Sequence, residues 1–181
     1  ANRGISIGYL KNNTFTDNTF ARCGFYLQYP VENTTIDTSN KVNGKSVRYF
    51  QEQNNISMIN ETDIGQLLLV GVNNSEFRGL NISHTGIGIM VKDSYYNTFA
   101  DINSSCNNES GIYLSNSSYN SFSDIISNYN NGSGIYLLYS SNNSITMSEF
   151  EFNVDGLLFL NSTYNKIAGN EFKNNTNHGI D

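Results

Sequence analysis

Short apolar alternations recur along the chain, each opened by a glycine and closed by polar residues. Gly88-Ile89-Met90-Val91, Gly111-Ile112-Tyr113-Leu114, Gly134-Ile135-Tyr136-Leu137, Gly156-Leu157-Leu158-Phe159 and Gly179-Ile180 align, with glycine spacings of 23, 23, 22 and 23. Nine residues after the first four glycines stand Asn97, Asn120, Asn143 and Asn165, and the same interval joins Gly4 to Asn13, Gly24 to Asn33 and Gly65 to Asn74. A small or polar residue and then an apolar one follow these asparagines, one residue late at Asn33 and Asn74, as in Asn97-Thr98-Phe99, Asn120-Ser121-Phe122 and Asn143-Ser144-Ile145. Each repeat therefore reads as two or three short strands of period two between polar corners, with no segment of helical period.

A repeat of this length, built of short strands, predicts an all-β fold: a parallel β-helix (solenoid) of about 23-residue coils. Equivalent positions then stack roughly 4.8 Å apart along the axis. Phe15, Phe77, Phe99, Phe122, Ile145 and Ile167 are expected on one wall of the core. Ile5, Phe25, Ile89, Ile112, Ile135, Leu157 and Ile180 are expected on another. The asparagine column forms a ladder in which each amide bonds to the next coil, satisfying buried polar groups without charge.

The repeat forms one domain over residues 1–181, interrupted between Gly24 and Gly65, where one coil plus an excursion fits. Asn43-Gly44, between Lys41-Val42 and Lys45-Ser46-Val47, signals a two-residue hairpin. Residues 37–60 are expected as a flap projecting from the solenoid. Both ends fall inside a repeat with no capping helix, which has two readings: an excerpt of a longer chain or a covered terminus, and self-association, head-to-tail or lateral, through uncapped ends.

Composition sharpens this picture. Asn, Ser, Thr and Gly number 31, 22, 12 and 15 of 181 residues, so corners and ladders dominate and a helical protein is excluded. Twelve tyrosines and eleven phenylalanines argue against disorder. The net charge of −6 argues against nucleic acid as a partner, and no apolar run is long enough to span a membrane. No cofactor is expected.

The unit Asn-[Thr/Ser]-[Phe/Ile]…Gly-Ile-x-Leu-x-x-Ser-x-x-Asn resembles the repeats of NosD-type proteins, single-stranded right-handed parallel β-helices of the pectin-lyase-like superfamily. Residues 36–49, from Ile36 to Tyr49, are similar to a segment that precedes such repeats in surface proteins of methanogenic archaea. The resemblance covers essentially the whole chain and implies the right-handed fold. It spans carbohydrate-binding and sugar-cleaving proteins, periplasmic factors for copper enzymes, and surface proteins. Its cleaving members use Asp pairs, a His-Gly pair and Arg-x-Lys. Here only His178-Gly179 matches: there is no Asp-Asp pair, and no arginine has a lysine two residues on.

Asp101 and Asp124 stand four residues after the ladder asparagine in adjacent coils, as Asp17 and Asp37 do earlier. They are weak calcium candidates and otherwise corner residues. A copper site needs clustered His, Met or Cys. His84 and His178 fall about four coils apart, roughly 19 Å at the strand spacing. Cys23 and Cys106 fall about three coils apart, too far for a disulfide. Tyr96, Tyr119 and Tyr164 each precede the ladder asparagine, with Asn142 interrupting their column. Tyr113 and Tyr136 form an outward column with Tyr26. These five tyrosines, apart from Tyr26, are the carbohydrate-binding candidates, by stacking on sugar rings; the competing roles are cross-strand support and a subunit interface.

Thirteen Asn-x-Ser/Thr sequons are present, roughly twice what random placement gives. Asn12, Asn33, Asn55, Asn60, Asn73, Asn103, Asn108, Asn116, Asn131, Asn142, Asn161 and Asn174 are glycosylation candidates. Asn81, and to a degree Asn103, lie nearer to strands and are weaker. The sequence thus predicts a structural, non-enzymic, extracellular or cell-surface β-helix, N-glycosylated and self-assembling into a filament or surface layer. A carbohydrate-binding module is the first alternative, with glycans as ligands, and a polysaccharide lyase or hydrolase the second.

Overall fold

The computed structural model describes residues 3–28 and 31–181. It holds twenty-three short strands and, among the described residues, no helix. Two N-terminal coils come first. One comprises β1 (Ile5–Ile7), β2 (Leu10–Lys11), β3 (Thr14–Phe15) and β4 (Thr19–Phe20). The other comprises β5 (Phe25–Leu27), β6 (Val31–Glu32), β7 (Thr35–Ile36) and β8 (Lys41–Val42). They stack strand on strand in parallel: β1 on β5, β2 on β6, β3 on β7 and β4 on β8.

At Asn43-Gly44 the chain reverses. Both residues have positive φ, 50° and 82°, which a two-residue primed turn demands, and β8 pairs antiparallel with β9 (Lys45–Gln51). β9 opens the main solenoid, continued by β10 (Ser57–Ile59), β11 (Gln66–Val70), β12 (Glu76–Arg78), β13 (Ile89–Lys92), β14 (Thr98–Asn103), β15 (Ile112–Ser115) and β16 (Ser121–Ile126). The last coils contain β17 (Ile135–Leu138), β18 (Ser144–Thr146), β19 (Glu149–Glu151), β20 (Asp155–Leu160), β21 (Lys166–Ala168), β22 (Glu171–Lys173) and β23 (His178–Ile180). One sheet runs β9-β11-β13-β15-β17-β20-β23 in parallel, with β8 and then β4 beyond β9. The other runs β10-β12-β14-β16-β18-β21, with β19 and β22 beside it.

The expected core columns are present in the main solenoid. Leu67, Ile89, Ile112, Ile135, Leu157 and Ile180 stand in register, as do Phe77, Phe99, Phe122, Ile145 and Ile167. The phenylalanine rings stack at 5.1 and 4.7 Å with interplanar angles of 15° and 3°. Such a narrow core works because every coil buries its apolar residues against copies of themselves. Ile5, Phe25 and Phe15 do not join these columns: Ile5 pairs with Phe25, and Phe15 with Ile36, in the separate N-terminal stack. Gly65 stands one residue ahead of the glycine column. Leu67 pairs with Ile89, so Gln66 occupies the glycine position.

The flap expected over residues 37–60 is not a projection. Its hairpin is real, but the return strand β9 pairs with β11 along Val47–Gln51, and β10 pairs with β12. Pairing satisfies the backbone groups that a projecting ribbon would leave to water. β8 takes the β9 edge of the main sheet.

The hairpin also lays the N-terminal coils against the outer face of the main sheet. Gln66 clamps β5: its Nε2 donates to the Phe25 carbonyl at 2.9 Å and its Oε1 accepts from the Phe25 N–H at 2.9 Å. Lys92, 6% exposed, donates Nζ to the carbonyls of Leu27 and Gln28 at 3.1 and 3.2 Å. Leu68, Met90 and Tyr113, which point out of the sheet, form a second apolar cluster with Phe25 and Leu27.

Candidate functional site

Each coil turns at corners where one residue adopts the left-handed conformation. Twenty-five described non-glycine residues have φ between 47° and 60°, and ten of them are asparagine, the residue that tolerates this best. Backbone bonds from coil to coil align these corners in columns. One contains Asn55, Asn74, Tyr96, Tyr119, Asn142 and Tyr164. Another contains Cys106, Tyr129, Phe152 and Asn174.

Beside the corners, buried amides form ladders. Oδ1 of Asn120 accepts from both the N–H and Nδ2 of Asn97 at 3.0 Å, and Asn143 repeats this toward Asn120 at 2.9 and 3.2 Å. Asn165 continues it, accepting the Asn143 N–H at 2.8 Å. Asn13, Asn33 and Asn74 fall outside this ladder: Asn33 and Asn74 are exposed corners, and Ser75 takes the ladder position, donating its N–H to Asn97 Oδ1 at 3.0 Å. A second ladder runs through Asn107, Asn130, Asn153 and Asn175, and a serine ladder through Ser94, Ser117, Ser140 and Ser162. Their spacings of 22 and 23 are visible in the sequence once the first ladder is known.

The sequons map onto this geometry. Asn12, Asn33, Asn55, Asn60, Asn116, Asn142, Asn161 and Asn174 are exposed left-handed corners. Asn131 and Asn81 are exposed as well. Asn73, Asn103 and Asn108 are half-buried and engaged. Asn73 Oδ1 accepts from the Tyr95 N–H at 2.8 Å, Asn103 lies in β14, and Asn108 donates to the Arg22 carbonyl.

The tyrosine candidates separate into two groups. Tyr96 and Tyr119, 59% and 51% exposed, stack on each other at 5.1 Å and 15°, so their inner faces are occupied and their edges meet solvent. Tyr164 is 86% exposed. Tyr129 and Phe152 form a second such stack, at 4.7 Å and 8°. Tyr113 is not outward-facing to solvent: it is 8% exposed under the N-terminal coils, 6.4 Å from Tyr26, and burial pushes its phenol up to about 12. Tyr136 is half-buried beside it. Tyr113 therefore offers no free ring face for a sugar.

Asp101 and Asp124 are neighbours in adjacent coils, at left-handed corners lining a groove of about 530 Å³ with Asn103 and Met147. Arg78 donates to Asp101, so an arginine supplies the counter-charge that a stacked carboxylate pair needs. Asp17 is a corner of the separate N-terminal stack, and Asp37 accepts from the Ser39 N–H at 3.0 Å. At the other end of the solenoid, His178 Nδ1 lies 3.3 Å from Asp155 and 4.0 Å from Asp181, a set with the chemistry to ligate a divalent cation. Glu149, Glu151 and Glu171 also converge, but Lys173 pairs with Glu151 and Glu171, and Asn128 bonds Glu149. Cys23 and Cys106 are free thiols. The fold-back lays the Cys23 corner on the main solenoid, where the Cys23 carbonyl accepts from Thr85 Oγ1 at 3.2 Å and Asn108 bonds the Arg22 carbonyl.

No helix among the described residues is long and apolar enough to cross a membrane. No curated protein matches the chain. The profile of the right-handed β-helix region matches residues 65–181, from Gly65 through the last coil, in agreement with the stacked parallel strands and ladders found there. The chain belongs to the right-handed β-helix family.

Proposed function

We propose that the protein is a structural extracellular or cell-surface rod, N-glycosylated at its corners and associating with further copies of itself. The observation that carries this reading is the placement of sequons: eight of the candidate asparagines occupy exposed left-handed corners. A residue there projects from the coil, and at Asn116, Asn142, Asn161 and Asn174 the next residue is a ladder Ser or Asn tied to the neighbouring coil. Stacked coils make the backbone stiff, and a polar shell of low charge suits a glycan coat. The engaged Asp101 and the self-stacked Tyr96 and Tyr119 favour this reading over catalysis or sugar binding.

Glycopeptide mapping of material from the native source tests it. Occupancy is expected at several of Asn33, Asn55, Asn60, Asn116, Asn142, Asn161 and Asn174, and not at Asn73, Asn103 or Asn108. Unmodified corners throughout, together with binding on a glycan array, would replace the structural reading by the carbohydrate-binding one.

A further inference from the structure

The fold-back brings together three residues distant in sequence. Arg22, from a corner of the N-terminal stack, Lys45, from the hairpin, and His84, from a corner of the main solenoid, line one cavity of about 340 Å³ with Ser83 and Asn43. Val42 and Ile64, both buried, supply an apolar wall. That volume lies in the range of small-molecule sites, about 300–1,000 Å³.

The charge of this cavity is unusual for an acidic chain with 10 Lys and Arg against 16 Asp and Glu. Six of the cations are matched to carboxylates: Arg3, Lys11, Lys41, Arg48, Arg78 and Lys173. Lys92 is buried against carbonyls. Among the described residues, this leaves Arg22, Lys45 and Lys166 without a carboxylate, and two of these three line the same cavity. No acidic side chain among the described residues lines it. Asp63, next to Ile64 in the chain, is turned to Ser46 instead, accepting from its N–H at 3.1 Å and its hydroxyl at 2.6 Å.

The walls are fixed relative to one another. Asn43 Oδ1 accepts from the Arg22 N–H at 2.9 Å, and Asn43 Nδ2 donates to the His84 carbonyl at 2.7 Å. His84 Nδ1 and the Ser83 hydroxyl bond each other at 3.2 Å; beside them a guanidinium fork and an ammonium offer several donors to one anion, the arrangement that recognises oxyanions by charge-assisted hydrogen bonds. A bare inorganic ion would leave the apolar wall uncovered; an anion on a sugar-sized body covers both. We propose that this cavity binds a small organic anion of about monosaccharide size carrying a carboxylate, sulfate or phosphate group. The site is independent of the structural role argued above.

Amide-resolved NMR titration tests it, with glucuronate, glucose 6-sulfate and glucose 6-phosphate as probes, glucose as the uncharged control, and chloride holding ionic strength constant. Saturable shifts are expected at Arg22, Lys45, Ser83 and His84 with at least one anion and not with glucose, and the anion bound tightest identifies the group. Arg22→Gln with Lys45→Gln weakens binding about tenfold or more, since charged hydrogen bonds are removed from an exposed pair, whereas Lys166→Gln leaves it unchanged. Retained peak dispersion shows that the variants fold, and each single variant serves if the double one does not. Shifts that never saturate, that fall equally around Lys166, or that centre elsewhere overturn the proposal.

Discussion

At the residue scale, the ladder asparagine explains the composition. Asn120 is 1% exposed and uses its whole amide: Oδ1 accepts twice from Asn97, and Nδ2 donates to the Ser94 and Ser118 carbonyls at 3.1 Å and to Asn143 Oδ1 at 3.2 Å. An apolar residue of similar size would leave those partners dry and unpaired, at about 1–3 kcal/mol for each group. Asn120→Leu is therefore expected to destabilise by roughly 2–5 kcal/mol, and Asn120→Asp by at least as much, because a carboxylate cannot donate to Ser94 or Asn143. Urea denaturation reads both; a midpoint for Asn120→Asp equal to that of the unchanged protein would refute the ladder as a donor–acceptor chain. Serine performs the same task at Ser94, Ser117 and Ser140, which is why Ser ranks next to Asn in abundance.

At the element scale, the decisive contact is the N-terminal stack on the main sheet, and its chemistry sets a pH dependence. Lys92 is desolvated there, which pushes its ammonium below the usual lysine range. The unfolded chain binds that proton more tightly than the folded one, so stability from this group rises with pH between the depressed value and about 10.4, where the unfolded lysine titrates. Tyr113, raised to about 12 by burial, and Tyr49, raised further by burial, act in the opposite direction. Their contribution is complete below pH 10 and is lost as pH rises through 12, because the unfolded phenols ionise first. Stability is expected to fall above pH 10, more shallowly in Tyr113→Phe, as followed by denaturant midpoints across that range; an identical slope in the variant would remove Tyr113 from this account. The stack was also the least legible element. The Gly–Asn interval placed the main coils from Ile89 onward, since Ile89, Ile112, Ile135 and Leu157 pair as spaced, but it set Gly65 and Asn74 one residue out of register and missed the β9–β10 coil. Gly4 and Gly24 carry the same interval, but period reports neighbours along one axis and is silent on a second axis folded beside it. Gln66 and Lys92, polar residues at positions that face out of the sheet, were the available signal, and their partners are carbonyls that no side-chain pattern reveals. The cavity of Arg22, Lys45 and His84 follows from the same reversal and was hidden for the same reason.

At the scale of the whole molecule, the outer face of the main sheet is where the proposed self-association can be tested. Leu68, Met90, Tyr113, Tyr136 and Leu158 form one outward column in register, and Val70, Lys92, Ser115, Leu138 and Leu160 form the next. The N-terminal coils cover the first half, where Leu68, Met90 and Tyr113 are buried. Beyond them Tyr136, Leu138 and Leu158 are half-buried and Leu160 is 48% exposed, although the columns and their apolar character continue. The surface that one stack of coils covers within the chain thus continues beyond that stack, and a coil of a second copy is expected to pair laterally on it. Hydrophobic gain there is modest, at about 25 cal/mol for each Å² of apolar surface removed from water, so pairing is expected to depend on protein concentration. Leu160→Asp puts a charge at the most exposed point of the column without touching the core, because the core-facing residues of β20 are Leu157 and Phe159. Light scattering over a concentration series should show the unchanged protein gaining mass while Leu160→Asp stays monomeric with an unaltered melting temperature. Equal association in both proteins would move the contact away from this face, and a monomer at all concentrations would rule out lateral pairing.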